Sequence, residues 1–264
     1  MIMSRSLTFK GAVCDVPADL QAGSAEWRSL CDEVARERPD LLLLSEMPFG
    51  SWISSGASVD QARWEHSLHV HAEGLDRLEQ LGAKVVAGTR PRCLENGHVN
   101  EAFVYTREGG LRGVHTKQYF PNEDGYYEAR WFKAGPRHFE SLGVEGLNIG
   151  FLICTELMFN EHARRYGRDG VDVVLVPRAV GVPSLARWLV AARMAAIVSG
   201  AYVLSSNRVG ADATGQVFGG GGWIIDPSGD VVAETGAARP VATHHIETAV
   251  VRRAQSEYPC YVEE

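Results

Sequence analysis

The chain has 264 residues, 45% of them hydrophobic, which is enough to bury a full α/β core in one domain. Its formal charge of −7 is spread along the sequence with no basic run longer than Arg252-Arg253, so no footprint for nucleic acid appears. Nowhere do eighteen apolar residues run together and Met1 to Ser6 open no long apolar leader, so a soluble cytoplasmic protein with no membrane partner is expected.

In chain order, Leu7 to Cys14 reads as a strand. Ser24 to Arg38 has helical periodicity, with Ser24 as N-cap and Trp27, Leu30 and Val34 on one face. Pro39 to Ser45 is an apolar strand delivering Glu46 at its end. Val59 to Gly82 reads as one long helix closed by Gly82, and Lys84 to Gly88 as the next strand. A hairpin follows, with arms His98–Tyr105 and Leu111–Lys117 and a turn at Glu108-Gly109-Gly110.

Leu147 to Ile153 is a strand ending at Cys154, Glu161 to Gly167 a helix, and Val171 to Val176 a buried strand stopped by Pro177. Ser184 to Ser199 is a long helix with small and apolar residues at packing intervals, and Ala201 to Ser205 a strand. Gly219–Asp226 and Val231–Glu234 form a second hairpin turning at Asp226-Pro-Ser-Gly229. No linker, low-complexity tract or repeat divides the chain, so residues 1–264 read as a single domain with helices outside and sheets within.

Cys14, Cys31, Cys93, Cys154 and Cys260 are widely spaced, with no Cys-x-x-Cys pair and no histidine at ligand spacing, which argues against a disulfide framework or structural zinc. Cys14 and Cys31 read as packing positions, Cys93 and Cys260 as loop or tail. Gly219 to Gly222 lacks the Lys-Ser/Thr of a phosphate loop, and no His-Glu-x-x-His occurs. Neither metal nor cofactor is expected.

Cys154 differs from the other thiols because an apolar strand hands it directly to a helix start, where backbone N–H groups favour negative charge. Leu41-Leu-Leu-Leu-Ser-Glu46-Met-Pro, His115-Thr-Lys117 and Gly150-Phe-Leu-Ile-Cys154-Thr-Glu resemble, in order and spacing, the three signature segments of the nitrilase superfamily of carbon–nitrogen hydrolases. Tyr126-Tyr-Glu128-Ala-Arg-Trp-Phe is similar to the second-glutamate loop of its N-carbamoylputrescine-amidase-like members. The resemblance implies a four-layer αββα sandwich, commonly paired into a homodimer or larger homo-oligomer.

It also implies a division of labour that the chemistry of a poorly electrophilic amide carbon requires. Cys154 would attack, and Glu46 would accept and return protons. Lys117, with the Thr155 backbone N–H, would hold the oxyanion, and Glu128 would position Lys117 and substrate. Glu123 is the alternative second glutamate. Thr155 and Glu156 depart from the commonest residues after the nucleophile, and Glu156 is a candidate substrate ligand or a helix-start cap. Trp52, Tyr119, Tyr127 and Trp131 are candidates for an aromatic cleft or for plain core, and Arg178 for a carboxylate ligand or an interface residue. The expected reaction is hydrolysis of a small linear amide or N-carbamoyl amine; a nitrilase using the same residues and a noncatalytic binding module are the alternatives.

Overall fold

The computed structural model describes residues 6–95, 97–135 and 139–263. The reading of the first residues as leaderless therefore lies outside them for positions 1–5.

The first half runs β1 (Thr8–Pro17), α1 (Ala25–Glu37), β2 (Leu41–Leu43), α2 (Gln61–Leu75), β3 (Val85–Leu94), β4 (Gly97–Thr106), β5 (Gly110–Thr116) and a single helical turn, α3 (Glu128–Trp131). The second runs β6 (Leu142–Val144), β7 (Leu147–Phe151), α4 (Asn160–Arg168), β8 (Val173–Pro177), α5 (Leu185–Ser199), β9 (Tyr202–Ala211), β10 (Val217–Gly219), β11 (Trp223–Ile225), β12 (Val231–Glu234), β13 (Val241–Glu247) and α6 (Thr248–Ser256).

One sheet has the order β5-β4-β3-β2-β1-β13 and the other β6-β7-β8-β9-β11-β12. Each centres on three parallel strands, β1-β2-β3 and β7-β8-β9, with antiparallel neighbours outside them. The sheets join where the end of β1 pairs in parallel with β9, Asp15 opposite Asn207 and Pro17 opposite Val209. β10 adds to the far end of β9.

Strand alternation sets the layers. Leu41 and Leu43 point into the core between the sheets, with Val13, Val85 and Ala87 on their own sheet and Ile149, Val173 and Val203 opposite. Leu42 and Leu44 point the other way, with Ala12, Cys14 and Val86, against Trp27, Leu30 and Val34 of α1 and the buried Leu78 and Leu81. On the outer face of the second sheet, α4 and α5 bury Ala163, Tyr166, Trp188, Ala192 and Ala196. This is the expected αββα arrangement.

Several elements depart from the sequence expectation. The long helix over 59–82 is interrupted: α2 ends at Leu75, and Leu78–Leu81 form a separate tight turn capped by Gly82 in the left-handed region (φ 72°). Gly74 lets the Phe49 ring lie against the helix, since a Cβ there would come within 2.4 Å of it. β3 continues past Gly88 to Leu94 because it pairs with all of β4, so Cys93 is a strand residue opposite His98 rather than a loop residue. β9 likewise runs to Ala211, sharing its length among four neighbours.

α5 with its preceding turn, Val182–Ser199, is long and apolar enough to cross a membrane by composition. It contains Arg187 and Arg193, and its Trp188, Ala192, Ala195, Ala196 and Ser199 are buried against the protein.

Candidate active site

Glu46 follows β2, Lys117 follows β5 and Cys154 follows β7. β5 is antiparallel to β4, which is antiparallel to β3, so β2 and β5 point the same way and both residues leave the sheet at one edge. That edge holds the C-terminal ends of the parallel strands, where ligand sites of such sheets open. Backbone bonds tie the tips together: Glu46 N–H donates to the Arg178 carbonyl beyond β8 (3.2 Å), and Lys117 N–H to the Asn100 carbonyl of β4 (2.9 Å).

Lys117 is completely buried, as is Glu46, and Glu128 nearly so. Its Nζ donates to Glu46 Oε1 and to Glu128 Oε2, each at 2.6 Å. Burial pulls the ammonium down, but the charges of Glu128 and Glu46 outweigh it and hold Lys117 above the ordinary lysine range. Burial pushes the Glu128 carboxyl up, against the pull of Lys117. Asn100 Nδ2 also donates to Glu46 Oε1 (2.8 Å), whereas Glu46 Oε2 has no hydrogen-bond partner among the described residues.

Cys154 opens a short turn, Cys154–Met158, with its own backbone in the left-handed region at φ 46°. A non-glycine residue pays for that conformation, and such strain collects at functional sites. Met47, next to Glu46, shares the feature at φ 41°. Burial pushes the Cys154 thiol well up; the Glu46 charge raises it further, and Lys117 and the Ala179 N–H oppose this. Burial and the Glu46 charge thus favour the neutral thiol.

What holds the nucleophile turn is Glu156. Its fully buried carboxylate accepts from Ile153 N–H (2.7 Å) and Gln118 N–H (2.7 Å) and sits 2.9 Å from His115 Nε2. Of its two expected roles, the structure places Glu156 in the capping one. Its oxygens are taken up by Ile153, Gln118 and His115, and Glu156 is not among the residues lining the cavity over Cys154.

The cavity over Cys154 has a volume of about 430 Å³. Its wall includes Glu128, Thr155, Met158 and Tyr126, Ala179, Val180, Ser184 and Trp188, and the charged Glu123 and Arg187. Of the residues expected to contact substrate, Thr155 lines the cavity. Tyr127 is not in the wall, where its neighbour Tyr126 stands instead; the backbone N–H of Tyr127 donates to the Ser54 carbonyl (2.9 Å) and its ring lies under the Arg130 guanidinium. Trp52 is core: it is 0% exposed and packs edge-on to Tyr126 and Phe218. Trp131 is buried with its Nε1 on the Gly56 carbonyl, and Tyr119 bonds His162. The aromatic walls are instead Tyr126 and Trp188. Trp188 shows no sequence signal beyond its place in the first turn of an apolar helix.

Lys117 is bound to Glu128, and Glu123 sits on the rim. Arg178 is neither a surface carboxylate ligand nor an interface residue. It is fully buried, donates to Ser205 Oγ and the Gly221 carbonyl (both 2.6 Å) and lies 4.1 Å over the Trp223 ring. Burial lowers it to about 9, while the Cys154 and Asp15 charges resist that. Among the described residues no group of His, Cys, Asp and Glu has the arrangement of a metal site.

A buried lysine between two glutamates, near a cysteine with left-handed backbone at the edge where two sheets meet, is the arrangement that the resemblance to the nitrilase superfamily implies. A sequence model of the carbon–nitrogen hydrolases matches residues 9–255, and the chain belongs to that family. It is 28% identical to a citrullinase from Francisella tularensis over 149 residues, 53% of this chain and 52% of that protein. An N-carbamoylputrescine amidase from Arabidopsis thaliana is 26% identical over 233 residues, 82% of this chain and 78% of that one. The chain thus spans about half the length of several curated relatives it matches, and more of others. The crystal structure of a carbon–nitrogen hydrolase from Helicobacter pylori superposes with a TM-score of 0.83 at 19% identity, covering 96% of this chain and 94% of that one, which establishes the shared fold.

Proposed function

We propose that the chain, acting as one domain over residues 1–264, hydrolyses the carbon–nitrogen bond of a small linear amide or N-carbamoyl amine through a Cys154 thioester. The observation that carries this reading is Lys117 held at 2.6 Å by both Glu46 and Glu128 beside the Cys154 thiol. A thiol raised by burial needs a base at the moment of attack, and Glu46 Oε2 is the carboxylate oxygen left open for it. As sulfur bonds to carbonyl carbon, the carbonyl oxygen gains charge that Lys117 and the Thr155 N–H stabilise. Glu46 then returns its proton to the departing nitrogen, giving ammonia or an amine and the thioester. A water deprotonated by Glu46 adds to that thioester, and collapse expels the Cys154 sulfur and frees the acid. Glu128 holds Lys117 in place throughout.

The amide and carbamoyl preference follows the relatives named citrullinase and N-carbamoylputrescine amidase. Incubation with amides, ureides and nitriles of matched length, with ammonia as the readout, tests it. Amides or ureides turn over and Cys154→Ala abolishes the release; turnover of nitriles alone overturns the preference. A cytoplasmic homodimer belongs to the same proposal, and the exposed Val190 and Met194 of α5 are its contact candidates. Sedimentation at several concentrations checks the dimer.

A further inference from the structure

The cavity wall contains three ionisable carboxylate or guanidinium side chains: Glu123, Glu128 and Arg187. Glu128 is spent on Lys117. Glu123 and Arg187 have no ion pair or side-chain hydrogen bond, with each other or with any other of the described residues. Both are exposed, and either alone would be an ordinary solvated charge. What distinguishes them is that opposite charges from unrelated elements, the loop after β5 and the first turn of α5, border the same cavity as the nucleophile.

From this we infer that the substrate's far end is zwitterionic, bearing a carboxylate for Arg187 and an ammonium for Glu123, as in an ω-ureido or ω-amido α-amino acid. The inference rests on the hydrolase reading for which end reacts. A neutral substrate has no use for either charge. A purely cationic one meets Arg187 and a purely anionic one meets Glu123, so each is penalised by one side chain while gaining from the other. Only a molecule carrying both signs gains from both. The same wall carries Met158, Ala179, Val180 and Trp188, apolar surface that suits a methylene chain separating the reacting group from the charged head. The first turn of α5 contains no acidic residue, so its positive end adds to Arg187 in favouring the carboxylate.

Four probes of one chain length test this: an ω-ureido α-amino acid, the ω-ureido acid, the ω-ureido amine and the neutral N-alkylurea. Each is titrated calorimetrically into Cys154→Ala protein, and ammonia release is followed with the unsubstituted enzyme. The zwitterion is expected to bind at least about tenfold more tightly than the other three, the scale of one charge-assisted contact. Arg187→Gln should remove about tenfold for the two carboxylate-bearing probes, tighten the ω-ureido amine that it repels and leave the neutral urea unchanged; Glu123→Gln should weaken the two ammonium-bearing probes by about tenfold, tighten the ω-ureido acid and leave the neutral urea unchanged. Equal binding of all four, or equal losses on all four, overturns the inference. Ammonia release without charge preference sinks it while leaving the hydrolase reading intact. Selective zwitterion binding with no ammonia from any probe removes hydrolysis of the carbamoyl group and retains the charged subsite.

Discussion

Replacing Lys117 with Met keeps the length and apolar stem of the side chain but removes the one cation between two buried carboxylates. At an effective dielectric of about 20, each 2.6 Å contact represents about 6 kcal/mol of attraction before desolvation is charged against it. Breaking one member out of a buried ion pair typically costs about 3–5 kcal/mol, and that is the loss expected for Lys117→Met at pH 8. The loss should shrink in acid. Without the ammonium, Glu128, already pushed up by burial, takes a proton in the folded state that the unfolded chain does not hold. The folded variant then binds more protons than the unfolded one above the ordinary carboxylate value of about 4.3, so its stability falls as pH rises through that window. Urea unfolding followed by tryptophan fluorescence at pH 5 and pH 8 measures both quantities. Adding Glu128→Gln should restore more than half of the pH 8 loss, because one of the stranded charges is gone. A loss below about 1 kcal/mol, or one equal at the two pH values, would refute the idea that Lys117 is the charge compensating this cluster.

Three further perturbations have definite outcomes. Glu156→Gln turns an amide N–H₂ toward either the Ile153 or the Gln118 N–H, stranding a buried donor at about 1–3 kcal/mol; kcat should fall because the Cys154 turn loses its anchor, and unchanged kcat would show that the turn holds itself. Gly74→Ala places a methyl 2.4 Å from the Phe49 ring, so overpacking of about 1–3 kcal/mol should outweigh the roughly 1 kcal/mol gain in helix propensity, and a raised melting temperature would contradict this. Burial lowers His71 to about 3, against 6.5 for a free imidazole, so the folded protein resists a proton that the unfolded chain accepts. Stability is full above pH 6.5 and declines toward pH 3 by up to about 1.4 kcal/mol per unit from this group, and His71→Phe should flatten the acid limb of urea midpoints by that one proton.

The strand tips were legible because each is an apolar run ending in a residue that apolar runs seldom carry: Leu41 to Leu44 before Glu46, Leu147 to Ile153 before Cys154. Trp27, Leu30 and Val34 fall on the buried face of α1, with Ser24 accepting the Trp27 N–H, because capping and periodicity are local properties. Elements defined by partners were not legible. The outer half of β3 contains Arg90, Pro91 and Arg92, which look like loop, and is a strand only because β4 returns beside it and Glu101 neutralises both arginines. β13 has no alternating pattern around His244 and His245, yet it completes a sheet against β1. The same limit applies in the cavity. Tyr126 and Tyr127 are adjacent and chemically identical, and which of them enters the cavity wall depends on tertiary packing such as the Tyr127 N–H bond to the Ser54 carbonyl, over seventy positions earlier. Glu156 could be read as ligand or brace until His115, forty-one residues before it, was seen to occupy the same carboxylate.

Glu46 and Lys117 belong to one sheet and Cys154 to the other, and the short β1–β9 pairing and the Glu46 to Arg178 backbone bond span the divide. Neither half owns a complete reaction centre. Turnover therefore reports that the two halves have closed on one another, and a newly made or partly opened chain, with its thiol still parted from its base, is harmless to the amides around it.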